Sequence, residues 1–291
     1  MLKKLLDLYV YGNVHVALAG FSITMITCLK YDIYNFKTAF FVGAFILISY
    51  NFIRFIELKK QRLEWYDNWL KTNKIRINSL TILTIIVAVW AFIQEGLRQE
   101  SLLLLVPFSI ITFFYTIPLF KLGKNEFSFR NFPFIKIGSI AISWAGVSVF
   151  FPLVEAEKII DFNVFLEFFQ RFLFVIALTI PFDIRDFNGD DENLKTIPIV
   201  FGIRKAKFIG LFLLLVCIVL EFLKSNFESI ESMIFILISV VLGFLLWRTP
   251  VGKSRYYTAF WVEAIPIVWL LLVVINKGLQ NWKPLSIYFF E

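Results

Sequence analysis

Three aspartates near the middle of the chain have the spacing and the setting to bind an ion. Asp183, Asp186 and Asp190 stand at i, i+3 and i+7, with Asp191 beside them. On a helix, that spacing puts the three carboxylates on one face. They follow a long apolar stretch, so they fall where a membrane segment meets water. Crowded carboxylates repel one another and are costly to desolvate. A hard cation with oxygen ligands relieves the repulsion, and Mg²⁺ bridges carboxylates to substrate phosphates. Two readings are open on spacing alone: a Mg²⁺–diphosphate site at a membrane border, or an acidic, solvated loop between two spans.

The elements that must position these residues are set by composition. The chain has 291 residues, 59% of them hydrophobic and 36 of them Phe. Its mean hydropathy is +0.76. Those values exclude an ordinary soluble domain and fit a polytopic helical membrane protein. The net charge of +7 is explained by where the charges lie, and nucleic acid is not an expected partner. Apolar stretches long enough to span, or nearly so, lie at 9–29, 36–56, 78–97, 101–120, 135–152, 164–183, 206–223, 229–247 and 259–276. With the N-terminus inside, 20 of the 29 Lys and Arg residues fall on the cytoplasmic side and 7 outside. The positive-inside rule then predicts nine spans, N-in and C-out. Segments 58–77 and 183–205 share the cytoplasmic side. No linker-like tract interrupts the chain, so residues 1–291 read as a single domain.

Other polar residues are fewer. Cys28 and Cys217 lie in predicted spans and read as core filler. His15, the single histidine, reads as an interhelical hydrogen-bonding group. Arg171 and Glu263 fall inside predicted spans, where ionisable residues face a polar cavity or a partner. Lys121 and Lys124 follow Pro118 at a span end. They meet either lipid headgroups or a substrate phosphate. The first apolar stretch lacks a small-residue cleavage site and reads as a retained span.

The run from Asp183 to Gly202 resembles the second acidic motif of the UbiA family of intramembrane prenyltransferases. Asp183, Asp186, Asp190, Lys195, Thr196, Pro198 and Gly202 all match it. The resemblance implies an all-α bundle of nine transmembrane helices with a central cavity open to lipid. It implies that Asp183, Asp186 and Asp190, with Asp191, hold Mg²⁺, and that Arg185, Lys195 and Lys121 bind the diphosphate. The activity implied is transfer of an isoprenyl group from a polyprenyl diphosphate to a hydrophobic acceptor, in a bacterial inner membrane with the site facing the cytoplasm. A non-catalytic isoprenoid-binding relative, a small secondary transporter and a cyclising diphosphate lyase are the alternatives.

The first acidic motif of that family departs here. In Asn51-Phe52-Ile53-Arg54-Phe55-Ile56-Glu57-Leu58-Lys59, Asn51 matches, but Phe52, Phe55 and Lys59 stand where acids are expected. Asn51 is expected to orient water or substrate. Arg54 either binds the diphosphate in place of a metal ion or pairs with Glu57 three residues on.

Overall fold

The structure is a computed structural model and describes residues 2–57, 64–116, 120–122, 125–127, 134–188, 195–224, 229–252 and 256–281. Helices dominate it, and each predicted span lies on one. The first is broken in two. Helix α1 (Leu2–Tyr11) and helix α2 (Val14–Lys30) meet at 57°. Gly12 sits at the break because a Cβ there would lie 2.3 Å from the Leu8 carbonyl oxygen. Asn13 follows with φ 63°, a left-handed conformation that Asn tolerates.

Helix α3 (Lys37–Glu57) packs along α2, where small residues let the backbones approach. Gly20 accepts the tip of Ile46, and Gly43 faces the Ala17 carbonyl. Helix α4 (Glu64–Glu95) packs chiefly on α3. It leaves Ile82, Ile86, Trp90 and Ile93 exposed, as a lipid-facing helix does. Helix α5 (Gln99–Thr116) inserts the Phe108 ring where Gly146 of α6 (Ile135–Glu155) has no side chain. Between α5 and α6 lies a ribbon of two short strands, β1 (Phe120–Leu122) and β2 (Asn125–Phe127), antiparallel with Lys121 opposite Glu126. This ribbon departs from the all-α expectation.

Helix α7 (Phe162–Asp186) forms the centre of the molecule. Asp161 caps it, its carboxylate accepting from the Val164 N–H at 3.0 Å. That bond holds the Asp161 carboxyl below the usual range. Around α7 stand α6, α9 (Ile203–Phe222), α10 (Ile230–Arg248) and a C-terminal element. The last begins as a π-helical turn, Tyr257–Val262, and continues as α11 (Ile265–Asn281). Phe174, Phe235 and Trp269 meet at the core with centroids 5.1 to 5.8 Å apart. The short helix α8 (Ile197–Phe201) is separated from α9 by Gly202, whose φ of 82° suits glycine.

Among the described residues, five helices are long and apolar enough to cross a membrane, or six with α1 and α2 taken as one bent span. Helices lie at the predicted positions, and the count of nine membrane spans goes beyond the five or six that meet the length and apolarity needed. α9, for example, carries Arg204, Lys205 and Lys207 at one end and Glu221 at the other, which shortens its apolar length.

The two halves of α7 hold different polar clusters. Towards its N-terminus, Glu167 accepts from Lys30 at 2.5 Å, Lys224 at 2.6 Å and Arg171 at 2.7 Å. Lys224 also reaches Gln170 at 2.5 Å and Glu221 at 2.8 Å. Ser232 donates to Glu221, and Arg171 donates to the Ile23 carbonyl while its guanidinium lies over Trp269. Arg171 thus has partners on α2, α7 and α11. Sixteen residues further along, roughly 24 Å at helical rise, stand Asp183 and Arg185.

Candidate active site at the end of α7

The C-terminal end of a helix carries unpaired carbonyls and a partial negative charge, so acids there need cations. The structure supplies one cation to each. Asp183 is buried, and its Oδ1 accepts from Lys136 Nζ of α6 at 2.7 Å. Asp186 accepts both arms of the Arg185 fork, Nε and Nη2, each at 2.7 Å. The remaining arm of Arg185 donates to Thr258 Oγ1 in the π-helical turn at 2.8 Å. The Arg185 carbonyl accepts from the Gly252 N–H at 3.2 Å. Arg185 therefore ties α7 to the α10–α11 connection.

Lys195 is exposed, with φ 42°. It lines a small pocket with Lys136, Asp183, Phe134 and Thr196, so two lysines flank Asp183. Lys136 was not singled out as a site residue from sequence. Its position two residues into α6 gives no local sign that it faces α7.

The expected three-carboxylate face is not built by a continuing helix. α7 stops at Asp186, and Phe187 and Asn188 form a turn. Within the described residues the helix therefore carries Asp183 and Asp186. Asp190 and Asp191 lie outside the described residues, as do the side chains of Lys121, Phe55, Glu57 and Lys59.

On α3 the outcome is mixed. Asn51 is buried, its carbonyl oxygen accepting from Asn13 Nδ2 at 2.8 Å. Its own amide donates to Thr81 Oγ1 at 2.9 Å. Both ends are committed, so Asn51 ties the α1–α2 break to α3 and α4. Phe52, at the first position where the motif lacks its acid, is 52% exposed. Two residues further along the same helix stands Arg54. Arg54 of α3 and Arg185 of α7 both act electrostatically on Glu263, which follows the π-helical turn.

That turn is itself held in place. His15 Nε2 lies 3.0 Å from the Phe260 carbonyl oxygen, and Nδ1 lies 2.7 Å from the Tyr9 hydroxyl. A carbonyl can only accept, so in the neutral ring Nε2 carries the proton and Nδ1 accepts from Tyr9. The imidazole also stacks on the Phe260 ring at 5.0 Å. His15 is thus an interhelical hydrogen-bonding group, as its place in the sequence predicts. Cys28 and Cys217 are free and buried.

A cavity of about 230 Å³ lies between α2, α3, α4, α5 and α6. Its walls are almost wholly apolar and include Ile23, Phe41, Phe45, Trp144, Val147 and Phe151. Along α3 it runs from Phe41 to Tyr50, roughly 14 Å at helical rise. Tyr50 adjoins Asn51 and lies one helical turn before Arg54. The apolar pocket thus reaches Tyr50, one helical turn from the Arg54 guanidinium on the same helix.

Asp183 and Asp186 have the oxygen donors that a hard cation such as Mg²⁺ takes. Among the described residues, no group of three His, Cys, Asp or Glu side chains comes together as a metal site. The four aspartates remain the residues that would hold the ion, two of them described and each balanced by a side-chain cation.

No family model matches the chain, and no curated protein matches it. One solved structure does, that of a digeranylgeranylglyceryl phosphate synthase in membranes. The two superpose with a TM-score of 0.56 over 94% of this chain and 97% of the other, at 16% sequence identity. By fold, then, the chain is a helical membrane protein built on the same architecture as that synthase.

Proposed function

We propose that this protein transfers an isoprenyl group from its diphosphate to a lipid-soluble acceptor within the membrane, at the mouth formed by α3, α7 and the π-helical turn. The observation that carries this reading is the apolar cavity that ends one helical turn from Arg54. A prenyl diphosphate has the same two-part character, an apolar tail joined to a concentrated negative charge. The cavity holds the tail and excludes water. Arg54, Arg185, Lys136 and Lys195 meet the phosphate oxygens, the guanidiniums through paired N–H groups. Charge develops on the bridging oxygen as the allylic C–O bond breaks, and cations already in place stabilise it without reorganisation. Mg²⁺ held by Asp183, Asp186, Asp190 and Asp191 would supply further neutralisation of the leaving diphosphate. The Lys and Arg distribution supports a mouth that opens on the cytoplasmic side.

The second reading is a non-catalytic protein that binds an isoprenoid diphosphate without cleaving it. It is favoured by the missing acids of α3. Purified protein, Mg²⁺ and radiolabelled geranylgeranyl diphosphate separate the two. Release of diphosphate that falls when EDTA is added supports transfer, and saturable binding without release supports the binder. Arg54→Ala is expected to slow release by about 10²-fold, the effect of losing one donor to a developing charge. Turnover unchanged by Arg54→Ala excludes it from the site.

The cavity makes a separate prediction. Val147→Trp places an indole in the wall and shortens the space for the tail. Excluding one isoprene unit forfeits about 4 kcal/mol of burial at ~0.8 kcal/mol per CH₂, or ~10³-fold in affinity. The loss is expected for a C20 thio-diphosphate and not for a C10 one, measured as Kd in detergent. Equal losses for both chain lengths would place the tail elsewhere.

A further inference from the structure

Helix α1 is packed over one half and bare over the other. Val10 and Tyr11 are buried with Leu70 and Ile77 of α4, and Leu8 and Tyr9 pack beside them with Tyr256 and Phe260. Polar contacts fix the same half. Asp7 accepts from the Tyr256 hydroxyl, and Tyr9 bonds to His15, which donates to the Phe260 carbonyl. The Tyr11 ring meets Trp69 edge-on at 5.5 Å. Residues 2–6 project beyond these contacts and are all exposed. Among them Leu2 is 82% exposed and Leu5 56%.

The bare half has two faces. Helical periodicity puts Leu2, Leu5 and Leu6 on one side of α1, and Lys3, Lys4 and Asp7 on the other. Asp7 turns to Tyr256, while Lys3 and Lys4 stay exposed. An apolar face opposite a basic one, on a helix bent 57° from α2, is the pattern of a helix lying in a membrane–water interface. The depth agrees with it. The apolar stretch of α4 begins near residue 78, and α1 covers Leu70 and Ile77 just before it. Lys71 and Lys74 of α4 are exposed at the same level. Four ammonium groups thus stand at the height of lipid headgroups, and a cluster of that size attracts anionic lipid.

We propose that α1 docks on the anionic surface of the bilayer. Leu2, Leu5 and Leu6 enter between the acyl chains, while Lys3, Lys4, Lys71 and Lys74 bind headgroup phosphates. The Lys and Arg distribution supports the cytoplasmic leaflet for this contact, where anionic lipids give the surface a negative potential. Docking also sets the depth of the π-helical turn. Asp7 holds Tyr256 at its start, and the Tyr9–His15 pair holds Phe260 within it. The turn, and with it the Thr258 contact of Arg185, is thereby tied to a helix that rests on the lipid surface.

Cys28 and Cys217 are buried, so a cysteine introduced as Leu5→Cys is open to selective labelling with an environment-sensitive nitrobenzoxadiazole dye. The labelled full-length protein is placed in nanodiscs of phosphatidylcholine alone or mixed with phosphatidylglycerol. Blue-shifted emission and quenching by nitroxide-labelled acyl chains are expected with phosphatidylglycerol, and both are expected to fade in high salt. Lys3→Gln and Lys4→Gln are each expected to lower the ratio of docked to undocked helix by about 5-fold. Lys158→Gln, at the opposite end of the bundle, is expected to change nothing. All three lysines are exposed, so the variants are expected to fold. Emission that is the same in the two lipids overturns the proposal, as does a shift that survives the loss of both Lys3 and Lys4. A shift that Lys158→Gln reduces as much as Lys3→Gln also overturns it, because the attraction would then be that of net charge and not of α1.

Discussion

Arg185→Ala is expected to reduce diphosphate release by about 10³-fold, at the upper end for a preorganised donor at a developing charge. No other described residue of the mouth has as many partners. Its fork holds Asp186, its third arm holds Thr258 of the π-helical turn, and its charge acts on Glu263. Alanine leaves Asp186 uncompensated at the negative end of α7 and releases the π-helical turn from α7. Lysine keeps the charge but cannot bond Asp186 and Thr258 in the same planar geometry. Arg185→Lys is therefore expected to lie between alanine and wild type, at about 10–10²-fold below wild type. Steady-state release measured for both variants checks the order. Alanine and lysine variants that are equally active would show that the fork has no part in the reaction.

A second large effect is expected far from the mouth and on stability. Glu167→Gln removes the carboxylate that Lys30, Arg171 and Lys224 share. Arg171 is then buried beside a neutral amide, while Lys224 keeps Glu221. Breaking a buried ion pair from one side costs about 3–5 kcal/mol, because the remaining charge has no compensation. At ~2–4 °C per kcal/mol, that lowers the Tm by about 10 °C. Thermal unfolding in detergent measures it. Adding Arg171→Met removes the stranded cation and is expected to recover part of the loss, the non-additivity of side chains in one network. A double variant that melts lower than either single one would refute the shared-charge account. The single variant also tests whether α7 transmits the damage. Its cluster end and its catalytic end lie on one helix, so activity at low temperature is expected to survive while thermal tolerance falls.

These two predictions differ in how far the sequence alone leads to them. The acids of α7 were legible because their signal is local. Asp183 and Asp186 follow a long apolar run, and helical spacing predicts their neighbourhood without any tertiary knowledge. The same holds for the helices at the predicted spans and for His15 as a hydrogen-bonding group. The partners of those acids were not legible. Lys136 reaches Asp183 across 47 positions, and Arg185 reaches Thr258 across 73.

What the sequence determined by itself was therefore the inventory: a helical membrane chain, an acidic border at the end of α7, and an α3 whose expected acids are replaced. Tertiary structure decided the pairings. It committed Asn51 to Asn13 and Thr81, gathered Lys30, Arg171 and Lys224 around Glu167, and joined Arg185 to Thr258. The physical reason lies in the helices themselves. A membrane helix such as α10 is apolar on all sides, so polarity does not mark which side faces the bundle. Facing is settled by close packing at Gly20, Gly43 and Gly146 and by the long-range hydrogen bonds of the few polar side chains. Local spacing encodes neither.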